Sequence, residues 1–157
     1  MEVQETYETP EQVLEAMRQG YARYVEGLAE ARSTGVGERF SFYLQGVGNP
    51  KVNQLVDGFA QALGGWVDAL AALLSALPPE EADGFAARAL EQMLFYPRPA
   101  DRGTEFSVMA FEGCAVPLVP HLAEKRRAEV TERYRKRNPP RRMLPNQKRL
   151  WRALTRH

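Results

Sequence analysis

Residues 49–77 read NPKVNQLVDGFAQALGGWVDALAALLSAL, and this stretch decides the fold. Asn49 and Pro50 match a helix cap followed by a proline in the first turn. Behind them the apolar residues recur at helical spacing, with an unbroken phase through Gly64 and Gly65: Val52, Leu55, Val56, Phe59, Leu63, Trp66, Val67, Leu70, Leu73, Leu74 and Leu77. The pattern predicts one long helix over 50–77. Its second half is apolar nearly all round, which is typical of a central bundle helix or a subunit interface.

The segments on either side also carry helix signals. Thr9, Pro10 and Gln12 form a capping-box pattern ahead of an amphipathic stretch that reaches to about residue 33. Residues 38–45 fit a strand as well as a helix, but a lone strand would have no partner, so we predict a short helix there. Later helices are predicted from Pro79 to Leu94, from about Thr104, from Leu122 to Asn138 and from about Pro145.

Composition supports the same fold class. The chain has 20 Ala and 16 Leu but no Ile, so helix-forming residues dominate over strand-forming ones. A length of 157 residues suits one domain. We therefore predict an all-α bundle of five to seven helices around the helix at 50–77. An acidic bundle domain spans 1–121, and a basic helical extension of the same domain spans 122–157.

Cellular setting follows from a few simple counts. Cys114 is the single cysteine, so no disulfide can form within the chain, which favours a reducing compartment. The acidic first residues, Met1–Glu5, are not followed by an apolar run, and no apolar stretch approaches the roughly 20 residues of a membrane span. The excess of Arg over Lys, 17 to 4, together with frequent Ala, Gly and Pro, fits a GC-rich bacterial genome. We expect a cytoplasmic bacterial protein.

Charge is distributed very unevenly. Residues 1–100 carry a net charge of −7, whereas residues 101–157 carry +8, so the total of +1 is a cancellation. Residues 122–157 alone hold 13 bases and three acids. Such asymmetry points to nucleic acid, to an acidic protein surface or to anionic lipid.

Nucleic-acid binding is the function that this segment favours. Guanidinium groups suit phosphate oxygens, and exposed aromatic rings can stack on unpaired bases. We predict phosphate contacts, with Tyr134 and Trp151 as stacking rings, at these positions: Lys125, Arg126, Arg127, Arg133, Tyr134, Arg135, Lys136, Arg137, Arg141, Arg142, Arg149, Trp151 and Arg152.

Other interpretations of the same residues stay open. The bases could pair with acids of their own helix or of the acidic body, and Trp151 suits a core or a dimer seam as well as a base. In a further alternative the protein is an adaptor or inhibitor whose basic tail binds an acidic protein partner, and homo-oligomerisation is compatible with either function. A third hypothesis is an apolar ligand pocket near Phe59, Trp66 and Met93.

Residues suited to catalysis or metal binding are sparse. Cys114, His121, Glu112 and Glu124 cluster in sequence but lack any recognised metal-ligand spacing. Cys114 lies in an apolar stretch typical of a buried thiol. We predict no metal, no cofactor and no catalytic residue.

Overall fold

The structure is a computed structural model that describes residues 6–32, 50–97 and 102–156. The short helix predicted within residues 38–47 lies outside these ranges. In the ranges described there is no β-strand, and the chain forms an all-α helical bundle, as predicted. Its elements are α1 (Pro10–Arg32), α2 (Pro50–Ser75), α3 (Pro79–Leu94), α4 (Arg102–Met109), a 3₁₀ segment (Glu112–His121), α5 (Glu124–Arg137), a 3₁₀ turn (Pro140–Arg142) and α6 (Pro145–Thr155).

Proline sets the start of several helices. α1, α2, α3 and α6 each begin at a proline, whose fixed φ suits the first turn and whose missing N–H would have no helical acceptor there. At α1 the predicted capping box is present. The Gln12 N–H donates to Thr9 Oγ1 at 3.3 Å, and Gln12 Oε1 accepts from the Thr9 N–H at 3.3 Å and also from the Glu8 N–H at 2.8 Å.

Helix α2 runs without a break through Gly64 and Gly65 for 26 residues. It packs on α1, on the 3₁₀ segment and on α3. Gly20 of α1 lies against the Trp66 ring, because a Cβ at residue 20 would overlap Cη2 and would lie 2.7 Å from Cζ3. The Trp66 indole N–H in turn donates to the Tyr7 hydroxyl at 2.9 Å. Helix α2 is therefore packed closely against α1.

The described part of the predicted C-terminal extension, residues 122–156, contributes to the core of the bundle. Val130, Tyr134, Leu150 and Leu154 are buried in the same cluster as the apolar residues of α1, α2 and α3. Helix α6 packs along the 3₁₀ segment and also contacts α5. The basic helices are amphipathic rather than wholly polar, and their apolar stripes are what attach them to the body.

Candidate nucleic-acid interface

The basic residues of α5 are largely committed to partners within the protein. Arg126 lies 3.3 Å from the Asp83 carboxylate, and Arg133 holds Glu91 through two hydrogen bonds of 2.8 and 3.0 Å. The Arg133 guanidinium also lies 3.9 Å from the centre of the Phe95 ring. Both acids belong to α3, so the acidic body does neutralise part of the basic segment.

Two further arginines of α5 are also occupied. Arg135 binds Glu132 of its own helix at 2.6 and 3.2 Å, which lowers the pKa of that exposed carboxyl. Arg137 donates to the Tyr96 carbonyl oxygen at 2.9 Å, and its guanidinium lies 4.9 Å from the centre of the Tyr96 ring. Four of the predicted contact residues, Arg126, Arg133, Arg135 and Arg137, thus already have partners in the structure.

The remaining bases of α5 give a mixed surface. Lys125 and Lys136 are exposed, but Glu129 and Glu132 lie between them at helical spacing on the same face. Arg127 is half-buried. The outer face of α5 therefore alternates in sign and provides little net positive potential.

A more uniform basic surface follows α5. From residue 133 to the end, the sequence contains no Asp or Glu. After the end of α5, six bases are exposed, and in the described ranges none of these six has a carboxylate at ion-pairing distance. They are Arg141, Arg142, Lys148, Arg149, Arg152 and Arg156, and we call them the basic surface.

Helix α6 orients four of these bases. Its buried face carries Gln147, Leu150 and Leu154, each at most 2 % exposed. At 100° per residue, Lys148, Arg149, Arg152 and Arg156 fall on the opposite side within an arc of about 100°. Arg141 and Arg142 stand in the 3₁₀ turn that leads into this helix. Burial of one face thus leaves Lys148, Arg149, Arg152 and the C-cap Arg156 exposed. The Arg149 guanidinium also lies close to Gly113 of the 3₁₀ segment.

Neither of the two rings predicted to stack on bases is fully exposed to solvent. The prediction for Tyr134 is wrong, because its side chain is fully buried and its hydroxyl donates to Glu112 Oε1 at 2.8 Å. Val130 precedes Tyr134 by one helical turn, and this spacing alone places both on the buried face. Trp151 is partly buried and packs against the core.

A buried carboxylate that the sequence analysis did not select holds the basic helices in place. Glu112 is 2 % exposed and accepts hydrogen bonds from Tyr96, Tyr134 and Gln147 at 2.8, 2.8 and 3.1 Å. These donors come from the chain after α3, from α5 and from α6. Burial raises the pKa of Glu112, and the three hydrogen bonds oppose that rise. In the sequence, Glu112 is the single acidic residue of the apolar stretch 111–119, and this is the signal that could have indicated a buried, hydrogen-bonded acid.

Gln147 extends this network to the start of α6. Its Oε1 accepts from the Leu144 N–H at 2.9 Å, which caps the helix. Its Nε2 donates to Glu112 and also to Asn138 Oδ1 at 3.1 Å. Because Gln147 is nearly fully buried, the amide fixes both the position and the rotation of the helix that carries the basic surface.

Cys114 and the candidate metal ligands are the residues that the sequence offers for catalysis or metal binding. Burial raises the pKa of the half-buried Cys114 thiol, which disfavours the nucleophilic thiolate. Within the described ranges, no three His, Cys, Asp or Glu side chains are grouped as metal ligands.

The proposed apolar ligand pocket is very small. A cavity is lined by Met17, Tyr21, Phe59 and Met93 among others, but not by Trp66, and its volume is about 30 Å³. That is roughly the space of one water molecule. A second cavity, of about 380 Å³, borders Phe59 between α1 and α2 and is lined by Gly20, Tyr24 and Leu55 among others.

The fold and this surface define a small all-α protein with one acid-free basic helix face. Comparison with protein-family models, with curated proteins and with solved structures finds no match. Among the described helices, none is long and apolar enough to cross a bilayer.

Proposed function

We propose that this protein is a non-catalytic nucleic-acid-binding protein, alone or as a small subunit of a nucleoprotein complex. The observation that carries the proposal is the basic surface itself: six exposed bases in 16 residues, with no carboxylate paired to them in the described structure. Unpaired cations close together are costly to the fold through mutual repulsion, and a polyanion relieves that repulsion. The lone cysteine and the composition support a cytoplasmic, bacterial setting for this activity.

The mechanism is neutralisation of phosphates with release of counterions. Each base that contacts a phosphate adds about 0.9 to the slope of log affinity against log salt on a duplex. Six contacts give a slope of about −5, so affinity falls roughly a thousandfold between 50 and 200 mM salt. Phosphate contacts carry no sequence information, and binding is therefore expected to be insensitive to sequence.

A charge-matched pair of variants tests the location of the site. Arg149→Gln/Arg152→Gln removes two free bases, whereas Arg133→Gln/Arg135→Gln removes two bases that are paired with carboxylates. Both variants change the net charge equally. We expect the first to weaken binding to a 20-mer by at least about tenfold and to reduce the salt slope by about 2, and the second to have a much smaller effect.

The outcomes separate the proposal from its main competitor. Equal effects of the two variants would show that net charge rather than the basic surface governs binding. If no nucleic acid binds at 50 mM salt while an acidic polypeptide binds in a way that Arg149→Gln/Arg152→Gln abolishes, the adaptor hypothesis replaces this one. Circular dichroism of both variants checks that they are folded.

A further inference from the structure

The basic surface presents cations without an accompanying aromatic platform. We infer that it selects double-stranded over single-stranded nucleic acid. This inference rests on the proposed function and names the form of nucleic acid that the same site takes.

Binding of single strands without sequence preference usually depends on aromatic rings. Stacking of a base on such a ring offsets the cost of ordering a flexible strand. The exposed residues of α6 and its C-cap are Pro145, Asn146, Lys148, Arg149, Arg152, Thr155 and Arg156, none of which is aromatic.

The nearby rings are withdrawn from solvent. Tyr134 is fully buried with its hydroxyl on Glu112, and Trp151 packs against the core. Phe95 is covered by the Arg133 guanidinium. Among the side chains that the structure describes, every aromatic ring is buried or half-buried, so none stands fully exposed as a stacking platform.

Charge density favours the duplex for the same surface. The bases from Lys148 to Arg156 span about 12 Å of helix axis at 1.5 Å per residue. A duplex presents one phosphate charge per about 1.7 Å of its length, and single strands release fewer counterions per contact, about 0.7 against 0.9. Because base stacking does not add to single-strand binding here, the larger counterion release favours the duplex.

Rigidity of α6 adds to this effect. The helix is held by Leu150 and Leu154 in the core and by Gln147 in the hydrogen-bond network, so the backbone positions that carry its bases are fixed. A duplex backbone is also stiff, and the two surfaces meet with little loss of conformational freedom. A single strand would have to be ordered on the protein at its own entropic cost.

Fluorescence anisotropy with the full chain tests the inference. The probes are a labelled 20-mer duplex and its labelled component strand, both titrated at 50 mM salt and then across a salt series. We expect the duplex to bind at least about tenfold tighter, with a slope of about −5 against about −4 for the strand. Trp151→Leu, checked for folding by circular dichroism, is expected to leave both affinities within about twofold.

Each contrary result has its own meaning. Equal or tighter binding of the single strand overturns the inference and leaves the proposed function standing. A selective loss of strand affinity in Trp151→Leu shows that this ring does stack, and it overturns the inference as well. If neither probe binds, the proposed function fails and the inference fails with it.

Discussion

Replacing Glu112 by alanine is expected to cost more stability than any exposed substitution in this protein. The change removes the acceptor of three buried donors. The hydroxyls of Tyr96 and Tyr134 lose their partner at 2.8 Å, and Gln147 keeps only Asn138 for its Nε2. A buried donor left unsatisfied costs about 1–3 kcal/mol, so we expect a loss of about 3–5 kcal/mol. Domains of this size have a total stability of about 5–15 kcal/mol.

Glu112→Gln is the matched control. The amide has nearly the same volume, and its oxygen still accepts from Tyr134 and Gln147 while the Tyr96 hydroxyl turns to accept from its NH₂ group. We expect this variant to lose clearly less than Glu112→Ala. Urea denaturation of the wild type and both variants, with unchanged m-values, measures the difference. A loss below about 1 kcal/mol in Glu112→Ala would refute the structural role assigned to the network.

The stability of the wild type relative to Glu112→Gln, measured as a function of pH, reports the protonation of Glu112. Burial raises its pKa above the usual 4.5, so between that value and the folded pKa the native state binds a proton that the unfolded chain has released. This contribution to stability is fully present below pH 4.5 and is lost as the pH rises through the folded pKa. The stability difference between wild type and Glu112→Gln should therefore shrink with rising pH. A difference that grows instead would mean that the folded pKa is lowered.

Three local substitutions test the packing of α1 on α2 and the cap of α1. Gly20→Ala would bring a methyl group against the Trp66 ring, and the overpacking is expected to cost about 1–3 kcal/mol in urea denaturation. At Gly58 of α2 an added methyl group would meet open space, so Gly58→Ala should stabilise the fold by about 0.5–1 kcal/mol. Equal effects of the two changes on stability would contradict this packing. Thr9→Ala removes the oxygen that accepts from the Gln12 N–H and should lower the thermal midpoint through a loss of about 1 kcal/mol, and an unchanged midpoint would count against the cap.

Local signals in the sequence predicted the helices well. The starts at Pro10, Pro50, Pro79 and Pro145 are those observed, because proline and its neighbouring cap residues act within a single turn. The uninterrupted phase across Gly64 and Gly65 likewise predicted one continuous helix, since packing of an apolar stripe outweighs the poor helix propensity of two glycines.

Sequence patterns do not predict which side chains pair with partners far away in the chain. Arg126 meets an acid 43 residues away in sequence, and Arg133 meets one 42 residues away, through the packing of α5 on α3. Only the three-dimensional arrangement separates these committed bases from the free ones of α6. The buried network around Glu112 is similar, since its donors lie 16, 22 and 35 residues from it.

One element of the site did have a usable local signal. In α5, Val130 and Tyr134 are four residues apart, so the helical phase that predicts burial of one predicts burial of the other. Aromatic character alone suggested a stacking ring. Helical phase outweighs residue type here, because a partly apolar helix turns its few apolar side chains inward.

The central claim is that the surface of the 3₁₀ turn and α6 binds nucleic acid. Its most direct test is an NMR titration of the ¹⁵N-labelled full chain with an unlabelled 20-mer duplex at 50 mM salt. The account predicts chemical-shift changes concentrated in residues 140–156, which reverse when salt is raised. Unchanged spectra at saturating duplex, or changes centred on the acidic residues 79–94, would contradict it.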